Sequence, residues 1–285
     1  MRVGIQLPEV EREVRWPEVA AIARAAERAG YDSVWLGDHM LYRDAGRERG
    51  PWDVWTQLAA LAAITSRVTL GPLVASTAFH PPGVLARMAA SVDEVSGGRH
   101  VLGLGAGWNE DDLRAFGYPP ERLVSRFEEA FEIVRRLLAG DRVTFDGRYH
   151  RLEDAVLLPR PARRVPLLVG TVGRRMLSIA LPHVDAWNAW YADYGNTAAG
   201  FASQSTIVDA VCLQVARPPR EVQRSACVLV AFGAGGERRH EAKAVQPEDL
   251  RGHLRALADA GADEAILVVD PITERSVLEL AEKAL

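Results

Sequence analysis

The sequence predicts an α/β fold, a (β/α)8 TIM barrel with insertions. Three observations carry this. A unit of amphipathic helix, glycine-containing turn and short apolar strand recurs about eight times along the 285 residues, the number that closes such a barrel. Strands that alternate with helices pair in parallel through right-handed crossovers. The stretches AGYDSVWL (29–36) and AGADEAIL (260–267) share an Ala-Gly-x-Asp entry into an apolar strand, as repeated units would. The turn after the first strand carries no GxGxxG, which disfavours the alternative, an open doubly wound sheet. A single domain over 1–285 is expected, with insertion segments near 107–120, 141–164 and 191–202.

The elements follow in order. VGIQL (3–7) is the first strand. Pro17 suits the first turn of a helix, Val19, Ile22, Ala23 and Ala26 recur at helical spacing, and Gly30 ends the helix. SVWLGDHM (33–40) starts as the second strand. Residues 52–65 read as helix, VTLGPL (68–73) as the third strand, 81–95 as helix, HVLGLG (100–105) as the fourth strand and 121–138 as a longer amphipathic helix. Residues 141–161 alternate with period two around Asp146–Gly147 and read as an inserted hairpin. The rhythm resumes with VPLLVG (165–170), a helix from about Arg174, and VDAWNAW (184–190). Residues 191–202 are small and polar and read as a mobile loop before a helix over 203–216. SACVLVAF (225–232) is a strand, 233–244 an exposed loop, 247–260 a helix, EAILVVD (264–270) the last strand and 273–285 the closing helix.

Composition narrows the function. A net charge of −4 gives no basic footprint for nucleic acid. The two cysteines, Cys212 and Cys227, have no CxxC neighbour, so neither a disulfide framework nor a zinc knuckle is expected. The chain opens MRVGIQLPEV without a basic segment and apolar stretch behind it, and no run approaches membrane-spanning length. A cytoplasmic soluble protein is expected, without a membrane partner.

Barrel function collects where strands end. That filter selects Asp38 and His39 after the second strand and Ser76 and His80 after the third. It also selects Trp108, Asn109 and Glu110 after the fourth, 170–173 after the fifth, and Trp187 and Asn188 at the sixth. His100 starts a strand and reads as structural. Histidine carries protons near neutral pH, and a nearby carboxylate would raise its pKa and fix its tautomer; the plain alternative is a turn carboxylate beside a half-exposed imidazole. Pro72 removes one ladder donor from its strand, and Ala75–Ala78 offers a wall of small side chains to a flat ligand. VGTVGRR (169–175) places glycines before a helix start, where free N–H groups and Arg174 or Arg175 suit an anion, or merely cap a helix. Zinc on His39, His80 and Asp38 is the alternative chemistry, disfavoured because no HxH or HExxH pair exists; no GxSxG supports a serine hydrolase. No metal is expected.

SVWLGDH, the stretch 67–117, LLAGDRVTFDGRYHRLEDA, PLLVGTVGRR with VDAWN, and ADAGADEAILVVDP together resemble the luciferase-like monooxygenase family. Within it the chain is most similar to the oxidoreductases dependent on coenzyme F420, a deazaflavin. The resemblance implies a luciferase-like barrel that binds coenzyme F420, or alternatively FMN, at its mouth. It implies that Asp38 bonds the ring or ribityl region and that His39 faces the reacting ring edge. It implies a non-proline cis peptide at Leu73–Val74 pressing on the ring, and Ser76 against the ring or ribityl chain. Asn109 would bind the ribityl or phosphate side, and the Thr171, Val172 and Gly173 amides, with Arg174 or Arg175, would hold the phosphate. Relatives that oxidise a sugar phosphate place a glutamate acid where Trp108 stands, so the expected proton carrier is His39, with Glu110 second. The resemblance implies hydride transfer between reduced coenzyme F420 and a small organic substrate; the alternatives are an FMN-dependent monooxygenase and, second, a non-catalytic flavin-binding barrel. Members of the family are often dimers, and the resemblance would place the interface of a homodimer on the apolar helices near the second to fourth strands. Trp52, Trp108, Trp187, Trp190 and Tyr191 suggest an apolar, aromatic pocket, and packing between barrel and helices explains some of them equally well.

Overall fold

A computed structural model of the protein describes residues 1–9, 11–44, 46–233 and 241–285. In chain order the elements are β1 (Arg2–Gln6), α1 (Trp16–Ala29), β2 (Ser33–Leu36), β3 (Tyr42–Asp44), β4 (Arg47–Arg49), α2 (Val54–Ile64), β5 (Thr69–Pro72), β6 (Ala75–Ser76), α3 (Pro82–Ser96), β7 (Leu102–Gly105), α4 (Glu110–Ala115) and α5 (Leu123–Leu138). They continue with β8 (Val143–Asp146), β9 (Arg151–Ala155), β10 (Leu167–Gly170), α6 (Arg174–Ala180), β11 (Ala186–Ala189), α7 (Ala198–Gln214), β12 (Gln223–Ala231), α8 (Leu250–Asp259), β13 (Glu264–Asp270) and α9 (Glu274–Ala284).

The sheet runs β5-β2-β1-β13-β12-β11-β10-β7-β6, parallel at every pairing. β5 and β6 are two halves of one strand, and a parallel bridge between Leu70 and His100 joins β5 to the segment entering β7. Counting β5 and β6 once, eight strands close into a barrel, as the sequence predicted. The interruption falls immediately after Pro72: Leu70 N–H donates to the Arg99 carbonyl on the β7 side, and Pro72, two residues on, has no N–H to continue that row.

Three strand entries repeat one device. Asp32, Asp185 and Asp263 stand one residue before β2, β11 and β13. Each carboxylate accepts the backbone N–H of a residue on the preceding strand: Val3 at 2.8 Å, Leu167 at 2.8 Å and Arg224 at 2.7 Å. Each backbone N–H returns a bond to the same residue's carbonyl at 2.8 Å. The Ala-Gly-x-Asp echo is therefore a clasp that sets register between neighbouring strands, and the Gly before it ends the helix: Gly30 has φ 105. The barrel floor is polar. Ser33 Oγ donates to Glu264 at 2.6 Å and accepts from the Trp35 indole at 2.8 Å, beneath a core of buried Val, Leu, Ile and Ala side chains. His100, expected to be structural, is fully buried at this end, where its Nδ1 lies 3.1 Å from the Leu70 carbonyl.

The hairpin expected within 141–161 is present as β8 and β9, with Gly147 N–H bonded to the His150 carbonyl across its tip. The Glu129 carboxylate on α5 secures that tip by accepting three successive amides, Arg148 to His150. The stretch 41–51, for which no element was expected, contains the antiparallel pair β3–β4, tied by Arg43 and Glu48 at 2.9 Å. One local expectation fails. The stretch 191–202 is not one loop. α7 begins at Ala198, capped by Thr197 Oγ, which accepts the Gly200 N–H. The turn before it is anchored: the Asn196 amide donates to the Leu229 and Lys243 carbonyls at 3.0 Å each and accepts from Leu229 N–H at 3.1 Å. The Tyr194 hydroxyl donates to the Cys227 carbonyl at 2.6 Å. The centre of the loop expected over 233–244, residues 234–240, lies outside the described residues; beyond it Val245 pairs beside Val230. No helix among the described residues is long and apolar enough to cross a membrane.

Candidate active site

The barrel mouth is built from the ends of β2, β5–β6, β7 and β10. The Leu73–Val74 peptide is cis, and it lies between the two halves of the third strand. The Val74 side chain is laid across a glycine wall. A Cβ at Gly105 would stand 2.7 Å from Val74 Cγ2, one at Gly103 3.0 Å from Cγ1, and one at Gly170 3.1 Å from Cγ1. Only residues without a side chain on β7 and β10 admit this approach. The backbone of Gly107 likewise crowds Ser76 Oγ, 2.6 Å from the place a Cβ would take.

Two histidine–carboxylate pairs occupy the rim, and neither is the sequential pair Asp38–His39. His39 Nδ1 lies 3.1 Å from Oδ2 of Asp112, which is fully buried on α4. Asp112 also accepts the N–H groups of Met40 and Leu41, at 3.2 and 2.9 Å. An acceptor-only carboxylate assigns the His39 proton to Nδ1 and leaves Nε2 as the basic nitrogen. Burial alone would depress the His39 pKa; the Asp112 hydrogen bond and the charges of Glu9, Asp112 and Asp38 outweigh it, and the pKa is raised. The second pair joins Asp38 Oδ2 to His80 Nε2 at 2.8 Å, and the same oxygen accepts the Ser76 N–H at 2.9 Å. Burial pushes the Asp38 carboxyl up, against the opposing pull of His80, the Ser76 amide and His39.

The other predicted residues divide. Asp38, Val74 and Ser76 meet at the rim, with Leu73 in the cis bond. Ser76 Oγ is buried without a hydrogen-bond partner among the described residues. Asn109 ties loop to loop: its amide donates to the Leu41 carbonyl at 3.1 Å and its oxygen caps α4. Glu110 is not brought to His39. It lies on the exposed side of α4 in an ion pair with Arg114 at 2.6 Å. Thr171, Val172 and Gly173 form the turn from β10 into α6; Thr171 Oγ accepts the Gly173 N–H at 3.2 Å and its carbonyl accepts the Trp187 indole at 2.7 Å. Arg174 is exposed there, while Arg175 turns to Ser125 and Glu128 on α5. The supposed zinc trio is split between two carboxylates, and no cluster of three or more metal-binding side chains occurs among the described residues.

Aromatic placement also differs from expectation. Trp187 faces the helix shell, stacked on Phe201 with ring centres 5.8 Å apart, and does not line the mouth. Trp108 does flank His39, at 5.5 Å between ring centres, and Tyr42, which the sequence reading passed over, lies closer at 4.6 Å. Burial, with the charges of Glu9, Asp112 and Glu241, raises the Tyr42 phenol. Glu9, also passed over, is buried against Gly37, and accepts from the Gln6 amide at 2.8 Å. Beside it a cavity of about 280 Å³ opens between the loop after β1, the β3–β4 pair and the start of α2, lined by Glu9, Arg12, Arg49, Trp52 and Gln57 among others.

A closed parallel barrel whose third strand breaks at a cis peptide beside a carboxylate–histidine rim defines a narrow class of barrel protein. The particular family follows from the whole chain: a model described as luciferase-like monooxygenase matches residues 1–272, and the chain belongs to that family. An F420-dependent glucose-6-phosphate dehydrogenase of Microbacterium testaceum is 40% identical over 157 residues, 52% of this chain and 45% of that protein. A 5,10-methylenetetrahydromethanopterin reductase of Archaeoglobus fulgidus is 32% identical over 180 residues, 63% of this chain and 50% of that protein. The chain spans about half the length of the curated relatives it matches. Among solved structures, an F420-dependent secondary alcohol dehydrogenase in complex with an F420-acetone adduct superposes with a TM-score of 0.83 at 18% identity, covering 99% of this chain and 97% of that one. That likeness concerns the fold.

Proposed function

We propose that the protein is an oxidoreductase that uses coenzyme F420 to exchange a hydride with a small organic substrate. The carrying observation is the seat at the mouth: the cis Leu73–Val74 bulge, raised on the glycine wall, with the unpartnered Ser76 hydroxyl beside it. A flat ring with a polar side arm matches that combination of close backbone, small side chains and one unsatisfied hydroxyl. The glucose-6-phosphate dehydrogenases named as F420-dependent support the deazaflavin.

Leu73 and Val74 would support the ring, with Asp38 and Ser76 at its polar edge. The Thr171, Val172 and Gly173 turn would receive the phosphate, and Arg174 would add charge there. Asn109 would shape the ribityl side through its tie to Leu41 rather than by free amide groups. When bound, the deazaflavin supplies the hydride chemistry. This chain supplies position and a proton. His39, fixed at Nδ1 by Asp112, presents Nε2 as the group that takes or gives that proton. Glu110, engaged with Arg114 in solvent, is the weaker candidate.

The family description favours a second reading, an FMN-dependent monooxygenase. Titration of purified protein with reduced coenzyme F420 and reduced FMN separates the two. Tight FMN binding without deazaflavin binding overturns the proposal. Loss of turnover in His39→Ala with retained cofactor binding supports the catalytic assignment; unchanged turnover removes it, and binding without turnover on any substrate leaves a flavin-binding barrel.

A further inference from the structure

We propose that His80 is a positioning residue for the ring seat: its imidazole N–H holds the Asp38 carboxylate in the orientation that grips the Ser76 amide. The proposal rests on the ring-seat reading given above and adds a residue to which that reading assigns no role.

The break in the third strand creates the need. Leu73 N–H still donates to the Leu36 carbonyl of β2 at 2.7 Å, and Thr77 N–H donates to the Gly105 carbonyl of β7 at 2.9 Å. Between them, the Ser76 N–H has lost its ladder partner, because β2 ends at Leu36. A buried N–H without an acceptor is costly. Asp38 Oδ2 replaces the missing strand carbonyl at 2.9 Å. A carboxylate so buried needs a second partner. His80 provides it at 2.8 Å, four residues beyond Ser76 in the same segment. One oxygen therefore staples both ends of the stretch 76–80, whose inside is closed by Phe79 N–H on the Ser76 carbonyl at 3.1 Å.

The imidazole itself is braced. Pro81 and Pro82 follow it at the start of α3, and the Trp55 ring meets it edge-on at 6.1 Å between centres. The Trp55 indole nitrogen stands 3.4 Å from His80 Nε2, too long to compete with the 2.8 Å contact to Asp38. The titratable groups acting on Asp38 are His80, from the segment leading into α3, and His39, from its own loop. Burial already favours the protonated acid, so loss of the His80 donor releases Asp38 to take up a proton and drop one acceptor.

The test uses His80→Ala and His80→Gln, whose amide can restore an N–H donor without the ring. Two readouts are hydrogen exchange at the Ser76 amide without cofactor, and the Kd for coenzyme F420 and FMN between pH 5 and 8. In His80→Ala, Ser76 exchange rises and cofactor affinity falls, each by about tenfold, with affinity falling further as pH drops. His80→Gln returns both to within about threefold of the parent. Unchanged Ser76 protection in His80→Ala overturns the proposal. So does a loss equal at every pH that His80→Gln does not repair, which marks packing alone. If His80→Ala does not fold, His80→Gln and His80→Leu are compared, and equal Ser76 exchange in those two overturns it. Should the parent protein bind neither cofactor, the functional reading falls, while Ser76 exchange still judges the role of His80.

Discussion

The imidazole of His39 is held by Asp112, 73 residues further along the chain, and not by its neighbour Asp38. Adjacent side chains at a strand end diverge, so each of the two finds its partner on a different element. Asp112→Asn keeps an acceptor for the Met40 and Leu41 amides but no longer fixes the His39 tautomer. Turnover is expected to fall by about 10–100-fold with cofactor Kd nearly unchanged. In an NMR titration His39 should titrate at lower pH than in the parent. The raised pKa carries a sign for stability: the contribution of the pair is full below the unfolded imidazole pKa of about 6.5 and is lost as pH rises through the folded one.

Val74 and Gly105 form a second coupled pair. Gly105→Ala puts a methyl group 2.7 Å from Val74 Cγ2 and should cost about 1–3 kcal/mol through overpacking. Val74→Ala removes that carbon. The double variant should recover about 1 kcal/mol relative to the sum of the singles in urea unfolding. Strict additivity would show that the two do not touch.

His100 is fully buried, and its Nε2 has no partner among the described residues. Burial pushes its pKa down to about 3, opposed by the Leu70 carbonyl and aided by Arg163. The unfolded imidazole charges near pH 6.5, so stability is full above that value and declines as pH falls toward 3, by at most about 1.4 kcal/mol per pH unit. His100→Asn is expected to lower stability at neutral pH and flatten this decline. Thermal unfolding across pH 4–8 measures both.

Asn196 sits at φ 54 and makes three hydrogen bonds that tie the turn before α7 to β12 and to residue 243. Asn196→Ala strands those backbone groups and places alanine in the left-handed region. A loss of about 2–4 kcal/mol is expected in denaturant unfolding.

Local signals carried the scaffold. Apolar strands bounded by glycine and aspartate, and helices with regular apolar spacing, are legible because each depends on nearby residues. Pro72 marked the broken strand for the same reason. The β3–β4 pair escaped because Arg43 and Glu48 hold it without an apolar alternation. The start of α7 escaped because NTAAG looks like a loop, although Thr197 with Gly200 was a readable cap. In the rim, the residue types were legible and their partnerships were not. Glu110, Asp111 and Asp112 look alike at a helix start; only folding buries the third and aims it at His39 and the loop after β2. Trp187 was assigned to the mouth because one residue of strand register decides between barrel interior and helix shell.

The aspartate clasps at Asp32, Asp185 and Asp263 lie at the end of the barrel opposite the rim, and each is completed within two consecutive units. Alignment of those strands is thus settled away from the mouth. The connecting segments above, such as the β3–β4 pair, can be exchanged or lengthened without shifting the staves beneath them, which makes this chain a suitable host for grafted loops that recognise other small molecules.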